Sequence, residues 1–313
     1  MTIDLRRTRL VDAGVRRRPA RDNTLARKRQ WWGRVFVAPA IILVAVIIIV
    51  PSVQAIYYSF TDWNGLDANW IGLENYTKGL FGDPDFSRIA MNSLFIVISV
   101  PFGVLFSLVV AYLLSIQSWG RNLLRTVYFL PIALSWVVIG ITFSYLLSAR
   151  GPIDGVLQNI GLGFLAQDWL GGETTALISV IFVFNWSYFG INVVLLFTGM
   201  TTADPSVTEA ARLDGASGWK MLTNIVIPQV RRYIELSLIV TMAAAVTQIF
   251  GLIYTLTGGG PGVSTTTLEY ALYTRSFNLG HFSQGAAFGI LLFILSLLFA
   301  GIRLRAGVRA DDK

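Results

Sequence analysis

The sequence predicts an all-α, polytopic membrane protein with six transmembrane helices. Three observations carry that expectation. Of the 313 residues, 54% are hydrophobic and only 14% are charged, against about 25% charged in an ordinary soluble domain. Six long apolar stretches recur, at 35–58, 89–115, 126–148, 175–199, 232–256 and 284–304. The Arg and Lys residues behind the net charge of +7 gather in the first 34 residues and in short segments between apolar runs. That distribution is a membrane-topology signal and not a nucleic-acid surface; no nucleic-acid partner is expected. The chain has no cysteine, which excludes disulfides and thiolate metal sites.

Residues 1–34 form an Arg-rich segment in which Arg6, Arg7, Arg9, Arg16, Arg17, Arg18, Arg21, Arg27, Lys28, Arg29 and Arg34 meet only three acids, Asp4, Asp12 and Asp22. They read as a partly disordered cytoplasmic tail that sets topology and touches anionic lipid headgroups. A cleavable signal peptide is not expected: the run VFVAPAIILVAVIIIVPSVQAIYYSF is longer than an h-region of about 7–15 residues. Residues 35–304 form the membrane domain, and 305–313 a cytoplasmic C-terminal tail. Each apolar stretch is long enough to cross a hydrocarbon core of roughly 30 Å, which takes about 20 residues. Backbone groups in lipid must bond internally, so continuous helices are the natural solution. Runs such as AIILVAVIIIV do not alternate, which argues against a β-barrel.

Charge in the short connections gives the orientation. Arg121 and Arg125 follow the second stretch; Arg212, Lys220, Arg231 and Arg232 lie between the fourth and fifth; Arg303, Arg305, Arg309 and Lys313 end the chain. The opposite connections hold Asp62, Asp67, Glu74, Asp83 and Asp85, then Asp154, Asp168 and Glu173. The positive-inside rule therefore places both termini in the cytoplasm of a cell-membrane protein. Trp31, Trp32, Trp63 and Trp70 flank the first span as an interfacial belt.

The cytoplasmic segment 201–231 is longer than a turn requires. VTEAARL is a good helix former, Asp214-Gly215 is a break at which Gly allows a left-handed backbone, and ASGWKMLTNIVI resumes a helical pattern up to Pro228. Two short helices joined at an elbow are expected along the membrane face.

Glu209-Ala210-Ala211, Asp214-Gly215-Ala216 and Ile227-Pro228 resemble the EAA loop of permease subunits in binding-protein-dependent ABC importers. One departure is Asp204-Pro205, where the Pro falls one residue later than in the family pattern. SFTDWNGL at 59–66 with WIGLENYTKGL at 70–80, and LTGGGPGVSTTTLEYALYTRSFN at 256–278, resemble loops of the carbohydrate-importing branch, similar to maltose and glycerol-phosphate permeases. The resemblance implies a transmembrane permease subunit that pairs with a second permease as a heterodimer. Two ATPase subunits would carry ATP and Mg, an extracytoplasmic solute-binding protein would deliver a sugar-like molecule, and this chain would hold no cofactor and catalyse nothing. It also implies that Glu209, Ala210, Ala211, Asp214, Gly215 and Ala216 couple to the ATPase. Gly258, Gly259, Gly260 and Pro261 would then belong to an external loop facing the solute-binding protein; without a following Gly-Lys-Ser/Thr they do not read as a phosphate loop.

Within the spans, Asn185 and Tyr188 on the fourth stretch and Gln248 on the fifth are polar interruptions. Such groups are costly in lipid unless they bond across helices or line a wet path. Both readings stand at this point: helix–helix hydrogen bonding, or a path on which amides and hydroxyls meet sugar hydroxyls. Glu235 is expected to be offset by Arg231 or Arg232. His281 is the single histidine, so a metal site is not expected. Two other classes, a standalone secondary transporter and a non-transporting membrane scaffold, are alternatives. The first would need an ion-binding or protonatable residue deep in the spans, and none is evident there.

Overall fold

The structure is a computed structural model that describes residues 23–116, 128, 131 and 133–311. It divides into two compact units, 1–54 and 55–313. The described part of the first unit is helical. Helix α1 comprises Asn23–Val44, a π turn at Ala45–Ile49 and a last section Val50–Tyr58 that runs past the unit boundary. Pro51 accounts for the π turn. It has no N–H, and its ring would meet the Ile47 carbonyl; the turn before it widens, with the Val50 N–H donating to the Ala45 carbonyl. The helix starts at Asn23, inside the segment read from sequence as a tail; residues 1–22 of that tail lie outside the described residues.

The second unit is a helical bundle. Helix α2 (Phe86–Ile116) is apolar all round. Its buried stripe, Ile89, Ile96, Val100, Val104, Leu108 and Ala111, recurs at helical spacing, while Phe95, Phe102, Leu105 and Phe106 point outward. A helix with no polar face suits lipid, not water. The chain continues through helix α3 (Trp136–Leu146), whose N-cap Ser135 accepts from the Val138 N–H, and helix α4 (Pro152–Asn159) to helix α5 (Glu173–Thr202). Helix α5 packs along α2. Helix α6 (Pro205–Leu213) and helix α7 (Gly218–Met221, continued by Leu222–Val226 and Ile227–Gln229) follow. Then come helix α8 (Arg231–Thr247), helix α9 (Phe250–Leu256), helix α10 (Leu268–Tyr273) and helix α11 (Phe282–Asp311).

Among the described residues four helices are long and apolar enough to span a membrane: Gln30–Tyr58, Phe86–Ile116, Glu173–Thr202 and Phe282–Gly301. A fifth span arises if the bent pair Arg231–Thr247 and Phe250–Leu256 counts as one. The protein is an all-α, multi-pass membrane protein. The third expected stretch, 126–148, falls partly outside the described residues; within it α3 has 11 residues, too few to cross alone.

The fifth stretch needs a correction. An unbroken helix was expected over 232–256, but α8 and α9 meet at a bend of 55°. The Gln248 N–H still donates to the Ala244 carbonyl, whereas the Ile249 and Phe250 N–H groups donate to the Glu269 carboxylate. A side chain from α10 thus substitutes for backbone carbonyls at the start of α9. Helix α9 packs on α3, and Gly140 permits the approach: a Cβ there would lie 1.8 Å from Thr255 Oγ1.

Connections at one end of the bundle are pinned by side chains. Asn92 Nδ2 donates to the Val263 and Thr266 carbonyls, and Ser93 Oγ accepts from the Leu268 N–H. Asn75 Nδ2 donates to the Ser59 and Thr61 carbonyls. Ion pairs join Arg275 to Asp83 and Arg88 to Glu173. The opposite end, formed by the last turns of α2 and α5, carries α6 and α7.

Candidate functional site

The two ends and the bend position the candidate residues. At the α6–α7 end, Asp204 is the N-cap of α6, accepting from the Ser206 N–H at 2.9 Å, and Pro205 occupies the first helical position. That is where an absent N–H costs nothing. The Ser206 side chain and then its backbone hold the Asp204 carboxyl below the usual carboxylate range. At the other end of α6 the chain forms a Schellman turn. Asp214 is the C-cap and Gly215, at φ +82°, is the left-handed residue after it. The Gly215 N–H donates to the Arg212 carbonyl at 3.1 Å and the Ala216 N–H to the Ala211 carbonyl at 2.9 Å. Ala211 and Ala216 are the positions whose apolar contact usually accompanies this turn; Ala211 is only 8% exposed and Ala216 packs against the same core. Glu209, Ala210 and Asp214 are exposed.

The segment has two faces. Met221, Leu222, Val226 and Val230 are buried in the main core. Leu213, 90% exposed, and Trp219, 66% exposed, point away from it. The Tyr112 hydroxyl at the end of α2 donates to the Gly218 carbonyl. Glu209 and Arg212 also line a cavity of about 320 Å³ with Tyr112, Met200 and Gln229.

At the bend, the Tyr188 hydroxyl donates to Gln248 Oε1 at 3.2 Å. This pair, predicted from two separate stretches, is brought together. Trp136 lies 5.7 Å from Tyr188 and Phe184 5.1 Å from it, centroid to centroid. Beyond the break, Phe250 begins an aromatic group with Tyr254 at 5.6 Å, Tyr273 at 4.9 Å and Tyr270 at 6.1 Å. Gln248, Tyr254 and Phe277 are exposed on the single chain.

Asn185 sits elsewhere. Its Nδ2 donates to Ser99 Oγ on α2 at 2.8 Å and to the Ile181 carbonyl. It lines a separate cavity of about 400 Å³ with Gly103, Phe106, Trp186 and Phe189. Gly258, Gly259, Gly260 and Pro261 form a loop tied to the segment after it: Thr266 Oγ1 donates to the Gly259 carbonyl and Thr265 Oγ1 to the Gly260 carbonyl. Arg231 Nε donates to Glu235 at 2.8 Å, and His281 is an exposed loop residue. Sequence reasoning missed Glu269 and the buried pair of Thr241 Oγ1 and Asn192 Oδ1, 3.1 Å apart between α8 and α5. Glu269 stands outside the apolar runs, and no spacing in the sequence points from it to residues 249 and 250. Among the described residues no group of three or more His, Cys, Asp or Glu is placed to hold a metal.

Among the described residues, a bundle of apolar spans with one bent helix pair and a two-helix elbow at one end defines the class of all-α, multi-pass membrane protein. Comparison with known proteins narrows it. Residues 89–308 match the family model described as binding-protein-dependent transport system inner membrane component. A probable ABC transporter permease protein of Pyrococcus horikoshii is 33% identical over 267 residues, 84% of this chain and 91% of that one. The multiple sugar-binding transport system permease protein MsmF of Streptococcus mutans is 29% identical, covering 85% of this chain and 91% of its own. Among solved structures, a bacterial ABC transporter involved in import of the acidic polysaccharide alginate superposes with a TM-score of 0.79 at 22% identity, covering 92% of this chain and 99% of the other. The chain belongs to the binding-protein-dependent transport system inner membrane component family. It is a permease component of an ABC-type importer in the inner membrane, working with a partner permease and separate ATPase subunits that hydrolyse the ATP.

Proposed function

We propose that this permease passes a neutral carbohydrate, and that the α6–α7 elbow couples the bundle to the ATPase. The observation that carries the first part is the Tyr188–Gln248 hydrogen bond at the broken span, beside an aromatic group. A hydroxyl and an amide match sugar hydroxyls, and aromatic faces match the C–H faces of a pyranose. No basic residue is ion-paired or hydrogen-bonded to either partner among the described residues, so the pair offers nothing specific to a phosphate or a polyuronic acid. The relative MsmF, a sugar-binding transport system permease, is in keeping with this choice. Asn185, bonded to Ser99, contributes to the path by holding α5 on α2.

The elbow reading rests on its two faces. Leu213 and Trp219 offer apolar surface to a docking cleft, while Met221, Leu222 and Val226 bury into the bundle. Movement of the docked partner therefore reaches α2, α5 and α8 through packed contacts. Glu209, Ala210, Asp214, Gly215 and Ala216 shape that docking surface, and Ala211 seats it. Termini in the cytoplasm, six spans, and a loop at 258–261 near the solute-binding protein complete the arrangement. A secondary transporter is less well supported: Glu269, the acid nearest the bend, is engaged by two backbone N–H groups.

Reconstitution of the full complex tests the proposal. With neutral oligosaccharides, glycerol phosphate and a uronate oligosaccharide each loaded on the solute-binding protein, uptake should follow the neutral sugars and fall at least tenfold in Gln248→Ala and Tyr188→Phe. Uptake limited to the charged solutes, or uptake without the ATPase, would contradict it.

A further inference from the structure

We propose that Glu269 is a positioning residue: its carboxylate holds the break in the fifth span open and so fixes where Gln248 and Phe250 stand. The inference rests on the reading of the bend as the solute path.

The break leaves two donors without helical partners. In a continuous helix the Ile249 and Phe250 N–H groups would donate to the Ala245 and Val246 carbonyls. Instead both donate to one oxygen, Oε2 of Glu269, at 2.9 and 2.8 Å. The first N–H groups of any helix need outside acceptors, and a charged acceptor makes the stronger bonds. Ile249, Leu252 and Ile253 are each fully buried, so water is a poor substitute there. The acid is half-buried, and no Lys, Arg or His is ion-paired with it among the described residues. The two backbone donors are its hydrogen-bond partners.

Glu269 is itself held firmly. Thr267 caps α10, its hydroxyl accepting from the Tyr270 N–H. Ser93 takes the Leu268 N–H, and Asn92 takes the Thr266 carbonyl. The frame α2–α10 therefore carries the acid, and the acid carries the bend. Gln248 lies directly before the two captured N–H groups, with φ −134° and ψ 15°, out of helical geometry. Losing the carboxylate would let the Ile249 and Phe250 N–H groups rejoin the helical ladder and so rotate Gln248 away from Tyr188.

The chain has no native cysteine, so a single Gln248→Cys reports locally. Its reaction rate with a cationic methanethiosulfonate is measured in the full complex in membranes, with Thr198→Cys on α5 as a distant control. Adding Glu269→Ala should change the rate at position 248 at least fivefold and leave position 198 within twofold. Glu269→Gln keeps an acceptor oxygen at the same reach and should stay within twofold at both positions, whereas Glu269→Asp, one methylene shorter, should behave like Ala. Unchanged labelling in Glu269→Ala overturns the inference, as does an equal change at both positions or a Gln variant that behaves like Ala. Failure of the path reading is separable: labelling at 248 would respond to Glu269 as described, yet Gln248→Ala and Tyr188→Phe would leave neutral-sugar uptake intact.

Discussion

The Tyr112 hydroxyl lies 3.3 Å from the Gly218 carbonyl oxygen and joins the last turns of α2 to the first residue of α7. The bond is long, and so at the weak end of the range. Its location matters more than its strength: α2 packs along α5 and α8, so this contact links the elbow to the centre of the bundle. Tyr112→Phe keeps the ring and deletes the bond. We expect a loss of about 0.5–1 kcal/mol in stability, read by thermal unfolding. Stimulated ATP hydrolysis should persist while solute moved per ATP falls about two- to fivefold, the factor that such an energy represents. An unchanged ratio would leave the hydroxyl without a coupling role.

Gly215 tests the turn itself. A Cβ at this position would meet nothing within 4 Å, but the backbone stands at φ +82°. Strain is therefore the only cost of a side chain. Gly215→Ala should destabilise the elbow by about 1–2 kcal/mol, the cost of a left-handed backbone for an L-residue, with Gly215→Asn milder. Proline requires φ near −65° and would unmake the turn. The Gly215→Pro protein should still insert in the membrane, yet lose the connection between hydrolysis and transport. Normal solute-stimulated hydrolysis coupled to uptake in that variant would refute the assigned role of the elbow.

How far the sequence discloses this molecule depends on whether a feature is local. The elbow is local: Asp204-Pro205, Ala211 and Gly215-Ala216 are capping residues at their required offsets, so both helices and the break between them are legible from twelve or so neighbouring letters. The long spans are legible for a similar reason, because an all-round apolar run has few alternatives to a membrane helix. The bend at 248–250 is not legible. The window 232–256 is mostly apolar, with Arg232 and Glu235 in its first turn and Gln248 as its polar interruption, and has no proline; the acceptor that breaks it comes from Glu269, beyond a separate loop. Asn185 shows an intermediate case. Its cost in lipid predicts a partner, but only the packing of α5 on α2 identifies Ser99 as that partner.

The first connecting loop should depend on pH. Asn69 donates its backbone N–H to Asp62 Oδ1 at 2.7 Å and its side-chain amide to Oδ2. The backbone bond first, and the side-chain bond second, lower the Asp62 pKa below the ordinary carboxylate value. A depressed folded pKa means the stabilisation is complete above the unfolded value of about 3.9 and is lost as pH falls through the lower folded value. Hydrogen exchange at the Asn69 amide should therefore show protection near neutrality that declines only in strong acid. Asp62→Ala should abolish that protection at every pH. Protection that instead declined on raising the pH from 5 to 8 would contradict the sign.

Gly103 separates the two readings of Asn185. A Cβ on Gly103 would lie 2.1 Å from Asn185 Oδ1, so Gly103→Ala must displace the amide. The displaced group either loses Ser99 or distorts the α2–α5 contact. Overpacking of this kind costs about 1–3 kcal/mol, and thermal unfolding should report it. Asn185→Leu should cost less, near 0.6–2 kcal/mol for one interhelical hydrogen bond in a membrane protein, because it removes the polar group and not the space. If Asn185 serves only to hold α5 on α2, both variants that assemble will show an unchanged KM for uptake and a lower melting temperature. A KM that rises several-fold in Asn185→Leu, with stability preserved, would move the solute path to the cavity beside Gly103, and away from Tyr188 and Gln248.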